Sequence, residues 1–357
     1  MISSAIFSVV RCPECRVLLQ PHASGATCPA CQRVFGSGQQ NAGYLDLRPI
    51  EAFAEQTKYL DAALHVDARH ETVAPPLLGS KIRNDQLRAF LNLTADDRVV
   101  DLGCGSGRAM VWNRDTGASF TGVDISAFFA KEALEGCDLL LGDLRQLPLA
   151  DGAFTKAWSL DVLEHLSPQA LHDMLSEANR VLADDGALFV YTHVRKNGPL
   201  AIGVRWVNHL AHGLERLGLL DLRTERLRKS DHLNPIADHE DLHRVAADAG
   251  FTVERITYYT PIFGSFVENI LTRMAEHIIA GRMARRSGTQ GDAGAAVREA
   301  RATAKTRLRK RGLVYWMTRA ITGVMYLDVV LWGRFRSGPF FARLRKVQAH
   351  APQTMDR

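Results

Sequence analysis

The chain has 357 residues, of which 46% are hydrophobic and 23% charged, with a formal net charge of +5. This composition supports a buried core and excludes a disordered or fibrous chain, and the length suits one large domain with a small companion. The mild positive charge permits an anionic partner such as RNA or a lipid surface, but does not demand one.

Residues 1–48 read as a cysteine module. The opening stretch has no basic leader and is expected to be a strand of that module. Four of the six cysteines fall in two pairs, Cys12-Pro13-Glu14-Cys15 and Cys28-Pro29-Ala30-Cys31, separated by 12 residues. Four thiolates at that spacing can close a tetrahedral zinc site, and a closed site is structural because no coordination position remains for substrate. So short a segment has little core, so the metal would supply its stability. Cys104 and Cys137 stand alone, which fits metal binding in a reducing, cytoplasmic setting better than a disulfide framework. A redox role for either pair is the lesser reading, because no thioredoxin-like unit surrounds it.

Residues 49–94 are mostly helical in pattern, broken at Pro75-Pro76. The period then switches to short apolar strands at 98–102, 120–123, 137–141, 153–160 and 187–192, with helices at 126–134 and 168–182 between them. Strands alternating with helices imply a parallel sheet covered on both faces. A helix-rich insertion is expected at 199–236, then an amphipathic helix at 238–249 closed by Gly250, then a strand at 251–259. Within the segment 261–337, residues 265–333 are strongly helical apart from a loose stretch at 287–296, and 340–347 is expected to be one more strand at the sheet edge. The expected divisions are therefore 1–48, 49–94, 95–260, 261–337 and 338–357.

The most informative stretch is Val99-Val100-Asp101-Leu102-Gly103-Cys104-Gly105-Ser106-Gly107. A buried strand runs into a turn where three alternate glycines let the backbone approach a ligand closely. Asp124 closes the next strand, where a carboxylate can accept both hydroxyls of a ribose. Gly142-Asp143 stands at the following strand end. A dinucleotide loop would need glycine at position 108, where this chain has Arg108.

Over about 83–259 these residues resemble the class I S-adenosylmethionine-dependent methyltransferases. The first motif of that family looks like VVDLGCGSG here, the second like GVD, and 160–166 resembles its leucine-glutamate-histidine run. The resemblance implies a seven-stranded sheet with helices on both faces, joined here to a small N-terminal zinc ribbon and a helical insertion near the C-terminus. It places Asp101 and Gly103 at the methionine part of the cofactor, with Gly105 and Gly107 lining the loop. Asp124 with Ile125 falls at the ribose, Asp143 with Leu144 at the adenine, and Leu160 at the wall of the site.

Methyl transfer from a sulfonium is an in-line displacement, so the protein mainly aligns acceptor, methyl and sulfur in a dry pocket. A hydroxyl or amine acceptor can also need a base. His165 after the fourth strand, His193 ending the fifth and His232 in the insertion are the candidates. Asp161, Glu164 and His165 also look like the E-x-x-E-H run of some metal-assisted O-methyltransferases, with aspartate in the first place. Two carboxylates and an imidazole can hold a divalent metal.

Near the C-terminus, Arg298, Arg301, Lys305, Arg307, Arg309, Lys310 and Arg311 precede a long apolar helix at 313–332 carrying Tyr315, Trp316, Tyr326 and Trp332. That order suits a helical lid over the acceptor pocket which also touches an anionic membrane surface. A full span is disfavoured by Arg319 and Asp328. The expected activity is methylation of a hydrophobic small molecule, lipid or glycolipid precursor, at oxygen. The rivals are a ribosomal or transfer RNA base methyltransferase and a non-catalytic cofactor-binding regulator. The ribbon's few basic residues (Arg11, Arg16 and Arg33) weigh against RNA.

Overall fold

A computed structural model describes residues 2–36, 43–49, 73–196, 198–222, 232–278 and 312–347. The N-terminal module contains a small antiparallel sheet of β1 (Gln20–His22), β2 (Gly25–Thr27) and β3 (Val34–Gly36). The first residues make a 3-10 helix, Ser4–Ser8, and not the expected strand; only Val10 and Arg11 form isolated bridges. Ile6 and Val10 are nevertheless buried, because one turn of helix drops both onto the core.

The main sheet is built from β4 (Leu45–Asp46), β5 (Arg98–Leu102), β6 (Ser119–Asp124), β7 (Asp138–Leu141), β8 (Phe154–Leu160), β9 (Leu182–His193), β10 (Phe251–Tyr258) and β11 (Pro339–Lys346). Their order is β10-β11-β9-β8-β5-β6-β7-β4. All but β11 run parallel; β11 lies antiparallel between β9 and β10. The sheet thus has eight strands where seven were expected. The extra one is the two-residue β4, which leaves the cysteine module and pairs Leu45 with Leu140. The last strand is second from the edge, not at it. Its Phe340, Phe341, Ala342 and Leu344 are buried, and an edge position would have exposed one side of them.

Val99, Val100, Leu139, Leu140, Leu188, Phe189 and Val190 are all buried, so both faces of these strands demand cover. On one face, α4 (Pro168–Val181) and α6 (His239–Asp248) join the residues of the cysteine module in a single cluster holding Val10, Leu19, Phe35, Leu149, Met174 and Ala246. On the other face lie α1 (Leu78–Leu91), α2 (Arg108–Asn113), α3 (Lys131–Leu134) and α8 (Leu313–Trp332), with Phe90, Met110, Trp158 and Met325 at the centre. The helix expected at 126–134 is confined to its last four residues. The remaining helices are α5 (Ala201–Arg216) and α7 (Ile262–Ser265), the latter continuing as a π-helix over Phe266–Thr272. Parts of the expected linker helix (50–72), the insertion (223–231), the loose stretch and the basic run 298–311 lie outside the described residues.

The helices of the C-terminal layer cap one another in trans. Helix starts leave N–H groups without partners inside the helix. The N–H of Leu78 at the start of α1 donates to Thr322 Oγ1 of α8 at 2.9 Å, and Gly79 N–H donates to Glu268 Oε1 at 3.1 Å. At the start of α7, the N–H groups of Ile262, Phe263 and Gly264 donate to the Asp328 carboxylate at 3.1, 3.0 and 2.7 Å. Asp328, which breaks the apolar run of α8, is therefore fully buried and hydrogen-bonded. Among the described residues no helix is long and apolar enough to cross a membrane.

Replacing Asp328 by alanine leaves three helix-start donors without their acceptor, that of Gly264 buried and those of Ile262 and Phe263 partly so, and should cost about 3 kcal/mol, read by urea unfolding. Burial pushes the Asp328 carboxyl up from 3.8 to about 6, against the three N–H donors. Folding therefore takes up a proton between those values, and stability falls as pH rises from about 4 through about 6. Asp328→Asn should flatten that slope; an unchanged slope would contradict this origin for it.

Candidate active site

The glycine loop is tied to the neighbouring strand end. The N–H groups of Gly103 and Cys104 both donate to the Val123 carbonyl, at 2.9 and 3.2 Å. Gly103 has φ +79°, and a Cβ placed there would stand 2.5 Å from Val162 Cγ2 beyond the end of β8. Gly105 has φ +53°, and a Cβ there would meet nothing within 4 Å. The loop is thus packed shut behind Gly103 and open in front of Gly105. Gly107 begins α2.

Asp124, ending β6, binds two turns at once: its carboxylate accepts from Gly105 N–H at 2.8 Å and from Ser126 N–H at 2.9 Å. Burial raises its carboxyl above the usual range. Asp101 is buried, and burial together with the Asp124 charge pushes its carboxyl up to about 7, against the pull of the Trp158 indole and of Arg108. Ile125 follows, its carbonyl reached by Arg48 Nη1 at 3.5 Å. Asp101, the three glycines, Asp124 and Ile125 thus share the C-terminal ends of β5 and β6, where open α/β sheets bind ligands. Asp143 follows β7, and its carboxylate is engaged by Arg145 through the guanidinium at 2.9 Å and the backbone N–H at 2.8 Å. Leu144 is half-buried against the core, and Leu160 ends β8.

Past β8 the chain turns sharply at Asp161, which has φ +57°. A non-glycine residue in that region stores strain, and such strain gathers at functional sites. The turn sends the Asp161 carboxylate to Arg83 of α1, at 3.2 Å, and the Arg83 guanidinium lies 5.3 Å from the centre of the Tyr191 ring. Burial opposes the Arg83 charge, but Asp161 and the neighbouring acidic groups raise its pKa overall. Tyr191 in turn packs edge-on against Tyr259.

The turn that follows, Leu163–His165, carries Glu164 inward and His165 toward the insertion. The His165 and His232 rings are 4.7 Å apart, and His193 is 5.1 Å from His232. All three predicted histidines therefore converge, with His232 in the middle. Glu164 is 2% exposed, accepts a hydrogen bond from Thr192 Oγ1 at 2.8 Å, and is pushed up to about 8 by burial and the nearby Asp161 charge. The structure groups Glu164 and His165 with His232, not with Asp161 as expected. The donor atoms of Glu164, His165 and His232 lie within 4.8 Å of one another, whereas Asp161 is drawn off by Arg83. Arg83, Tyr191, Thr192 and Tyr259 carried no local motif; only the fold brings them to this strand end.

Cys12, Cys15, Cys28 and Cys31 also come together, their sulfurs within 4.8 Å of one another. The two pairs are built alike. In each, the N–H of the second cysteine donates to the first sulfur, at 3.4 and 3.5 Å, and the next residue (Arg16, Gln32) has φ +59°. Zinc–sulfur bonds in a tetrahedron imply sulfurs about 3.8 Å apart, and Cys12 Sγ and Cys31 Sγ are 4.0 Å apart. The donor set fits zinc.

The family described as "Methyltransferase domain" matches residues 100–190. Methyltransferase GfsG of Streptomyces halstedii is 26% identical over 160 residues, covering 40% of this chain and 57% of its own length. The Encephalitozoon cuniculi protein ECU09_1500, whose name proposes a methyltransferase, is 30% identical over 171 residues, covering 46% of this chain and 76% of its own. Sterol 4-C-methyltransferase strm-1 of Caenorhabditis elegans is 28% identical over 116 residues, 30% of this chain and 34% of that one. This chain belongs to the class I S-adenosylmethionine-dependent methyltransferases.

The contrast between the two glycines makes a direct stability test. Gly103→Ala combines a left-handed backbone with a clash against Val162 and should cost about 3 kcal/mol, while Gly105→Ala carries only the backbone strain, about 1 kcal/mol. Equal losses in denaturant unfolding would contradict the packing described.

Proposed function

We propose that the chain transfers a methyl group from S-adenosylmethionine to an oxygen of a hydrophobic small-molecule, lipid or glycolipid acceptor. The single observation that carries the reading is the open space in front of Gly105 beside Asp124, on the same sheet rim as a strand end crowded with aromatic rings and imidazoles. Asp124 would hold the ribose hydroxyls, Asp101 and Gly103 the methionine part, Gly105 and Gly107 the loop side, and Ile125, Leu144 and Leu160 the apolar walls. With its carboxylate engaged by Arg145, Asp143 would meet adenine through that paired edge. The cofactor supplies a methyl on a positively charged sulfur. The protein's part is to align the acceptor, exclude water and receive a proton, for which His165, His193 and His232 are the candidates.

In this reading residues 1–48 form a zinc ribbon held by Cys12, Cys15, Cys28 and Cys31, and residues 95–260 form the cofactor-binding core. The ribbon braces the loop after Asp143. Arg11 N–H donates to the Pro148 carbonyl at 2.9 Å, Ala150 N–H to the Val9 carbonyl at 2.7 Å, and Arg16 Nη1 to the Leu147 carbonyl at 3.1 Å. Residues 261–337 would form the lid, and the outer side of α8, among its described residues, is apolar. Leu313 is 77% exposed, Trp316 60% and Val330 68%, and Trp206 of α5 is 73% exposed. A surface of that kind suits contact with lipid, as does the named acceptor of the sterol relative.

The test is incubation of the purified protein with methyl-labelled cofactor and a cell extract split into lipid and aqueous fractions, with and without anionic vesicles. Label should enter the lipid fraction, and the protein should float with the vesicles at moderate salt. Label confined to RNA or to water-soluble compounds would contradict the acceptor class.

A further inference from the structure

Glu164, His165 and His232 come from a short turn after β8 and from a loop about 70 residues later, yet their donor atoms cluster within 4.8 Å. We propose that these three side chains form a second metal site, separate from the four cysteines, that takes a first-row divalent transition metal. The assignment of an acceptor role to this metal rests on the methyltransferase reading; the site itself does not.

Three observations carry it. The arrangement is held by the backbone: the N–H groups of Leu233 and Asn234 donate to the Glu164 carbonyl at 2.8 and 3.0 Å, which fixes the segment bearing His232 against the turn bearing the other two side chains. Glu164 is buried and supported from behind by the Thr192 hydroxyl at 2.8 Å, the kind of outer partner that orients ligating carboxylates. Two imidazole nitrogens and one carboxylate oxygen, finally, are a donor set for zinc, iron(II), cobalt or manganese, whereas magnesium and calcium favour oxygen alone.

Three protein ligands leave coordination positions open, as in sites that bind substrate, and with His165 and His232 on the metal, His193 is the one of the three candidate bases left to receive a proton. The site lies beyond β8, two residues past the Val162 side chain that packs on Gly103, so an acceptor held there would face the glycine loop. An acceptor with two adjacent oxygens, such as a hydroxy-ketone, an ortho-diphenol or a hydroxy acid, could occupy the open positions through both. Asp161 is outside the ligand set because it is paired with Arg83.

The experiment is a cobalt(II) titration of the full chain already carrying one equivalent of zinc on its cysteines, followed by absorption and calorimetry. A second equivalent should bind at micromolar concentration or tighter, with an absorption lacking thiolate charge transfer. His232→Ala and His165→Ala should each weaken it at least tenfold, and Asp161→Asn should leave it unchanged. A wild-type circular dichroism spectrum and cooperative urea unfolding show that each variant is folded. Wild-type protein that takes up no second equivalent, or a second equivalent lost in Asp161→Asn but kept in His232→Ala, would overturn the site. Uptake of the second equivalent without any binding of S-adenosylhomocysteine would support the site and count against the methyltransferase reading instead.

Discussion

The carboxylate of Asp124 ties together the two turns on which the candidate site is built. Its two oxygens accept from Gly105 and from Ser126, so the turn after β5 and the turn after β6 are held at one distance. Gly105 must be bare on its open side for a ligand to lie against that turn, and Gly103 must be bare on its closed side because Val162 fills the space. The parallel sheet supplies the rest, since it brings the C-terminal ends of β5, β6, β7 and β8 to one rim.

Around that rim the chain relies on long-range capping. Helix α8 satisfies the start of α1 through Thr322 and the start of α7 through Asp328, so three helices far apart in sequence behave as one layer. Gln86 of α1 adds a donor to the Tyr326 hydroxyl at 3.1 Å. The inner side of the layer is polar where it caps, and its outer side is apolar where nothing among the described residues covers it. On the opposite face the cysteine module is sewn into the core: Val10 and Leu19 share a cluster with Leu149 and Met174, and β4 extends the sheet.

Much of this was legible in the residues. Strand positions in the main sheet followed from apolar runs, and its seven expected strands are present within a few residues of their expected bounds, whereas the strand expected at the start of the chain is a 3-10 helix. The cysteine pairs and the glycine loop declared themselves because their chemistry is local. What could not be read was decided at a distance. The two-residue β4 has no period of its own and exists only because Leu140 and Leu141 offer an open edge. Asp161 resembled a metal ligand in sequence, but the fold sets Arg83 beside it and brings His232 to the place it would have filled. Asp328 looked like a flaw in an apolar helix, and the three N–H groups that require it lie some 65 residues earlier.

The account stands on whether the two turns joined by Asp124 receive an adenosyl ligand. Calorimetric titration of the intact chain with S-adenosylhomocysteine should give one site per chain, with affinity lowered at least a hundredfold in a folded Asp124→Ala variant. Absence of binding to the wild type, or equal binding by the variant, would contradict it.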